Sequence, residues 1–253
     1  MKILKIGGSF ITKKSGYREL DAPNVQKMAK TVAGLWKKGV RNFVLVHGAG
    51  SFGHQLVIKY KINEGVETEA HKLGYADTHA ACSELSLVLV EVLINDGVPA
   101  ISIPPALVME QKGKRISKFN TKIVTDYLDN GFLPVLYGDM VLDSELGGSV
   151  CSGDQIVSYL GKEAECMILA TNVDGVLDDR GKVISKITSA NFAGISKHLK
   201  KAEAGDVTGT MAGKLKELLS LDTPSYIVNA GHPERIDALM NGKKAVCTEV
   251  RKK

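Results

Sequence analysis

Six short apolar runs punctuate the chain, and most end in glycine or a small polar residue. Residues 3–6 lead into Gly7-Gly8-Ser9, residues 42–47 into Gly48-Ala49-Gly50, and residues 100–103 follow Gly97-Val98-Pro99. Residues 133–137 lead into Gly138-Asp139, residues 166–171 into Asn172, and residues 225–229 into Ala230-Gly231. Continuous rather than alternating hydrophobicity marks strands buried on both faces. Between the runs, apolar residues recur at three- and four-residue spacing. Val25, Met28, Val32, Leu35 and Trp36 predict a helix over 24–38; Ile123, Val124, Tyr127 and Leu128 one over 121–129; Leu215, Leu218 and Leu219 one over 213–221. Residues 85–94 are apolar almost all round and predict a deeply buried helix, whereas the polar interval 60–71 predicts a loop.

This alternation predicts an α/β fold, a mostly parallel open sheet covered by helices on both sides. A break near Glu145-Leu146-Gly147-Gly148 divides it into halves, 1–146 and 147–253, expected to share the sheet. In such sheets ligands lie beyond the carboxyl ends of the strands. That gathers the turns at 7–9, 48–54, 138–139, 152–154, 172–175 and 229–231 onto one surface.

Composition narrows the class. A chain of 253 residues with 44% hydrophobic and 24% charged residues is globular, with one large domain or two joined halves. The net charge of +5 is scattered, without the basic stripe and interleaved aromatics of a nucleic-acid binder. Cys82, Cys151, Cys166 and Cys247 lie far apart, which suggests neither a zinc site nor a disulfide framework. No apolar stretch approaches the roughly 20 residues of a membrane span, and Met1-Lys2 runs straight into a strand with no signal peptide. The expectation is a cytoplasmic protein with no membrane and no nucleic-acid partner.

Gly48-Ala49-Gly50-Ser51-Phe52-Gly53 fits GxGxxG after a strand, but the residues before Glu67 and Glu69 do not form the second strand that a dinucleotide site requires. What remains is a glycine turn whose N–H groups can approach an anion. Gly209-Thr210-Met211-Ala212-Gly213-Lys214 is one residue too short for a P-loop and lacks its hydroxyl. Lys5 is a charge within an apolar run. It reads either as an outward-facing edge residue or as a buried cation with an anionic partner.

Taken together, Lys5-Ile6-Gly7-Gly8-Ser9 and His47-Gly48-Ala49-Gly50-Ser51-Phe52-Gly53-His54 resemble the amino acid kinase superfamily, and within it archaeal-type isopentenyl phosphate kinases. Tyr137-Gly138-Asp139, Ser152-Gly153-Asp154, the segment 171–176, Asp206-Val207-Thr208-Gly209 with Lys214, and Asn229-Ala230-Gly231-His232-Pro233 follow in the family's order. The resemblance implies the three-layer αβα sandwich of that fold and transfer of the γ-phosphate of ATP to isopentenyl phosphate. It implies an acceptor-binding N-terminal half and a nucleotide-binding C-terminal half. Lys5, Ile6, Gly7, Gly8, Ser9 and Gly50 would cradle the transferring phosphates, and Lys14 would neutralise transition-state charge. Ala49, Gly53 and His54 would hold the acceptor phosphate, and the helix carrying Gly74, Tyr75 and Thr78 its apolar tail. Asp154 would orient the lysines, while Thr171, Asp174, Gly175, Gly209 and Lys214 would meet ATP. It also implies a homodimer. Three departures stand out: Asn172 where the family usually has Asp, Thr210 where a second Gly is usual, and Ala49 as the middle residue of the glycine turn.

The residue types suit this chemistry. An acceptor phosphate, with its second pKa near 6, needs no strong base; the obstacle is repulsion between anions, which ammonium groups and amides offset. His54 beside a phosphate would favour the imidazolium form. His47 reads as structural, and His71, His79, His198 and His232 receive no catalytic role. No all-protein metal cage is visible, so Mg²⁺ is expected on the nucleotide's phosphates. The rival readings are a kinase of another phosphate or phosphonate acceptor, such as fosfomycin, and a non-catalytic nucleotide-binding protein of the same fold.

Overall fold

The computed structural model describes residues 1–202 and 211–253. The first half contains β1 (Lys2–Ile6), α1 (Gly8–Ile11), α2 (Ala22–Lys37), β2 (Phe43–His47), α3 (Gly50–Tyr60), α4 (Glu69–Asn95), β3 (Ala100–Ser102), α5 (Pro105–Val108), β4 (Met109–Lys112), β5 (Arg115–Phe119), α6 (Thr121–Asp129), β6 (Leu133–Tyr137) and β7 (Asp139–Asp143). Then follow β8 (Gly147–Cys151), α7 (Gly153–Gly161), β9 (Cys166–Thr171), β10 (Lys186–Ile187), α8 (Phe192–Ala202), α9 (Met211–Leu219), β11 (Ser225–Asn229), α10 (Pro233–Met240) and β12 (Thr248–Val250).

Eight strands form one sheet in the order β10-β12-β11-β9-β1-β2-β6-β3. It is parallel except between β11 and β12. All six strands expected from the apolar runs lie in it, and the sheet is shared by both halves. A core cluster lies on each face, so the αβα sandwich is present. Leu4 and Ile6 of β1 join α2, α4 and α10 on one side. Ile3 joins α7 and α9 on the other, and the two-residue period of a strand places Lys5 on that same side.

Three features differ from the sequence expectation. Residues 85–94 are not buried all round: they end the 27-residue helix α4, whose Leu87 and Ile94 are 60% and 54% exposed. Uniform apolarity conceals which side of a helix packs. The loop expected over 60–71 shrinks to 61–68, because α3 runs to Tyr60 and Thr68 caps α4 by accepting the His71 amide at 3.2 Å. Finally, a second sheet, β5-β4-β7-β8, stands apart from the first. Its hairpin β7–β8 straddles position 146, so β8 pairs with the N-terminal half.

Candidate active site

The strand ends dictate the site. Each of these turn amides bonds to one of the last two carbonyls of a neighbouring strand: Gly7 N to Ala170 O at 2.9 Å, Gly48 N to Ile6 O at 3.1 Å, Gly138 N to His47 O at 3.0 Å and Ala230 N to Thr171 O at 2.7 Å. The turns therefore stand side by side at one level.

Between β1 and β2 the turns touch through their backbones. A Cβ on Gly8 would fall against the Gly50 backbone, and one on Gly48 would lie 2.7 Å from Gly8 N. Gly50 adopts φ +51° and opens α3. Thr12 stitches the pair, donating to Gly8 O at 2.9 Å and accepting the Ser51 amide at 3.0 Å. Of the opening N–H groups of α1 and α3, that of Ser51 is taken by Thr12, while those of Gly8, Ser9 and Gly50 have no acceptor within their own helices and can face an anion. Ala49 precedes α3 as its cap, and buried Gly53 packs its first turn against Ala49 and Cys82 of α4. His54, next along, is exposed on that turn.

On the other side of β1, Lys5 reaches α7. Its Nζ donates to Asp154 Oδ1 at 2.6 Å, while Lys214 Nζ of α9 lies 3.6 Å from Oδ2. Lys5 is 6% exposed and central in the sheet, so the edge reading fails and the anionic-partner reading holds. Burial lowers the Lys5 pKa against the pull of Asp154, with Lys214 adding to the drop. Burial pushes the Asp154 carboxyl up, but the two ammonium groups, Lys5 foremost, outweigh it and hold it below the ordinary range. Asp154 also sits in the first turn of α7, where the helix dipole favours an anion, and Ser152 caps that helix through Gln155 N at 3.3 Å.

The remaining expected residues scatter around this centre. Lys14 is exposed in the connector between α1 and α2. Thr171 turns inward to its own loop, contacting Val173 at 3.3 Å. Asp174 is held by Asn229 at 3.0 Å and Arg235 at 2.6 Å, and those bonds lower its pKa. Gly175 packs on Thr248 of β12. In α4, Gly74 packs against Tyr60, Tyr75 donates to Met140 O at 3.3 Å, and Thr78 is buried and bonded to Gly74 O at 2.7 Å. Gly209, with 206–208 and Thr210, lies outside the described residues. His47 is structural: it is buried, stacked on Tyr137, and its Nδ1 donates to Gly48 O at 3.1 Å.

Sequence reasoning missed three elements of this surface. The Asn172 amide donates to Ser9 O at 3.1 Å and lies 3.2 Å from Ser9 Oγ, clipping the β9 turn to α1. His79 pairs through Nδ1 with the buried Asp139 at 2.9 Å, which raises the His79 pKa. Arg18 pairs with Asp77 of α4. The first had a signal, an amide in a family carboxylate position; the other two pair residues about sixty apart and leave no local trace.

Among the described residues no group of three or more His, Cys, Asp or Glu is placed to hold a metal. The arrangement places the Lys5 and Lys214 ammonium groups and the amides of the glycine turns on one surface, chemistry suited to anions. The profile of the amino acid kinase family matches residues 1–225. The isopentenyl phosphate kinase of Methanothermobacter thermautotrophicus is 33% identical, covering 99% of this chain and 98% of its own. That of Methanocaldococcus jannaschii is 30% identical, with 96% of each chain covered. A solved structure of isopentenyl phosphate kinase superposes with a TM-score of 0.83 at 31% identity, over 98% of this chain and 99% of its own. The chain belongs to the amino acid kinase family, among its isopentenyl phosphate kinases.

Proposed function

We propose that the chain transfers the γ-phosphate of ATP to isopentenyl phosphate, giving isopentenyl diphosphate and ADP. The observation that carries this reading is the Asp154 carboxylate shared by Lys5 and Lys214 beside the joined glycine turns. A non-bridging oxygen of the acceptor forms the new bond to Pγ, and the bond from Pγ to the bridging oxygen of ADP breaks. The acceptor is already largely a dianion at neutral pH, so no side chain has to remove a proton. The N-terminal half holds the acceptor and the C-terminal half the nucleotide. Lys5, Lys14 and the amides of Gly8, Ser9 and Gly50 stabilise the equatorial charge. His54, with Ala49 and Gly53, binds the acceptor phosphate, and Gly74, Tyr75 and Thr78 border its tail. Lys214, Thr171, Asp174, Gly175 and Gly209 serve the nucleotide.

Both Asp154 oxygens already face ammonium groups, so the residues present fit a Mg²⁺ carried on the nucleotide's phosphates rather than a protein cage. That ion would neutralise phosphate charge. The four cysteines are free, in keeping with a reducing cytoplasm. Among the described residues no helix is long and apolar enough to cross a membrane. We assign a homodimer too. Supporting it, Leu73, Ala80, Leu87 and Ile94 recur every seven residues along α4, all exposed, so one line of the helix presents apolar side chains that a second copy would cover.

An ADP-release assay across isopentenyl phosphate, longer prenyl monophosphates and fosfomycin tests the reading. Isopentenyl phosphate should give the highest kcat/KM. Preference for fosfomycin would favour the phosphonate kinase, and ATP binding without ADP release from any acceptor a non-catalytic protein. His54→Ala should lower turnover strongly while His54→Gln, a neutral donor, keeps part of it; equal activity in all three proteins would remove His54 from the chemistry.

A further inference from the structure

The connector between α1 and α2 has no core of its own. Its stem is a bridge between Thr12 and Leu20, backed by Lys13 N to Glu19 O at 3.0 Å and Asp21 N to Ile11 O at 2.9 Å. Beyond the stem the residues are exposed or half-buried, Lys14 among the exposed. A lysine on such a loop is placed only as well as the loop itself.

Clips to two helices supply that placement. On α3, Gln55, the residue after His54, donates to Gly16 O at 2.7 Å, and the Ser51 hydroxyl accepts Glu19 N at 3.3 Å. On α4, the Arg18 guanidinium bonds the Asp77 carboxylate through Nη2, with Nη1 3.9 Å from Glu84. Asp77 is fixed in turn by the Tyr60 hydroxyl at 3.0 Å. Arg18 takes φ +48°, a left-handed conformation that a non-glycine residue holds only where its surroundings over-determine it. Its Nε is buried and has no hydrogen-bond partner among the described residues. The left-handed backbone and the buried Nε are both held alongside the pairing with Asp77, whose carbonyl also accepts from Nη2 at 3.4 Å.

We infer that Arg18 is a positioning residue for phosphoryl transfer: its pairing with Asp77 pins the Lys14-bearing loop to α4, the helix that borders the acceptor tail. The acceptor's helix and the lysine that neutralises the transferring group then move as one body. This rests on the assignment of Lys14 to the transition state.

The test is a double-mutant cycle in the full chain, with kcat and both KM values measured for Lys14→Met, Arg18→Met and the double variant, and Asp77→Asn alongside. Arg18→Met should lower kcat on the order of ten- to a hundred-fold, as misplacement of a catalytic group does. The KM for ATP should hold within about twofold. In the Lys14→Met background it should cost nothing further, because the group it positions is gone. Asp77→Asn should reproduce the Arg18→Met effect from the other side, and it carries the cycle if Arg18→Met does not fold. An equal loss of kcat in both backgrounds, or unchanged kcat in Arg18→Met and Asp77→Asn, overturns the inference while leaving the role of Lys14 intact. If Lys14→Met alone has full kcat, the assignment of Lys14 falls, and the inference with it.

Discussion

Where the β1 and β2 turns meet, geometry is carried by backbone: Gly8, Gly48 and Gly50 press main chain against main chain, and the side chains there mostly stitch the turns together. In the cluster on the other side of β1 it is carried by side chains, three charges meeting from β1, α7 and α9, with Lys5 and Asp154 separated by 149 positions. A backbone contact fails when an atom is added. A charge cluster fails when one is removed, because a buried ammonium group left without its carboxylate loses both hydrogen bond and solvation. The two sides should therefore break under opposite kinds of substitution.

The largest effect is expected in the cluster. Asp154→Asn keeps the shape but leaves Lys5 buried beside a neutral amide and Lys214 without an anchor. Turnover should fall on the order of a hundred- to a thousand-fold, the scale of losing one preorganised electrostatic contact. The Lys5 pKa, already lowered by burial, should fall further, because its raising partner is gone. Steady-state kinetics checks the first and the pH–rate profile the second. Near wild-type turnover would mean that the lysines need no carboxylate to orient them.

The backbone side has a pH sensitivity of its own. His47 ends β2 beneath the glycine turn, and burial depresses its pKa to about 4. The unfolded chain binds this proton below about 6.5 and the folded one only below about 4, so the unfolded state holds more protons in that window. Stability should therefore fall as the pH drops from about 6.5 to about 4, by about 3 kcal/mol, and this contribution should level off below. Asp143, held near 2 against its burial by backbone and Ser149 hydrogen bonds, acts only in a more acid window. Urea unfolding of wild type and His47→Phe across this range isolates the contribution; parallel curves would mean that His47 is not what acid attacks.

The same contrast explains what could be read in advance. The six strands read in advance are largely apolar, and the turns of the site announce themselves by glycine, because close approach of backbones excludes other residues. The second sheet gives no such sign. β4 reads Met-Glu-Gln-Lys and β5 Arg-Ile-Ser-Lys-Phe, strands with a wet face whose pattern is too short to separate from a loop. Lys5 is conspicuous as a charge in an apolar run, but its carboxylate could be assigned only through family resemblance. Arg18 with Asp77 and His79 with Asp139 are ordinary polar residues until the fold brings α4 against the turns. Side-chain pairing across the fold is a product of topology, and composition near either partner does not encode it.

One substitution made in two places tests the backbone argument at its finest. At Gly8 the added methyl of Ala would meet the backbone of Gly48 and Gly50, which cannot swing aside as a side chain can. Overpacking should destabilise by about 1–3 kcal/mol, and because the turns must part to admit it, turnover should fall as well. At Gly34, in the last turn of α2, nothing lies within 4 Å of the same methyl. There Ala should add up to about 1 kcal/mol by its helix propensity, leaving turnover unchanged. Denaturant midpoints and kcat for both variants suffice. If Gly8→Ala folded and turned over like wild type, the turns would be freer to separate than their packing requires, and the joined turns would depend on their side chains after all.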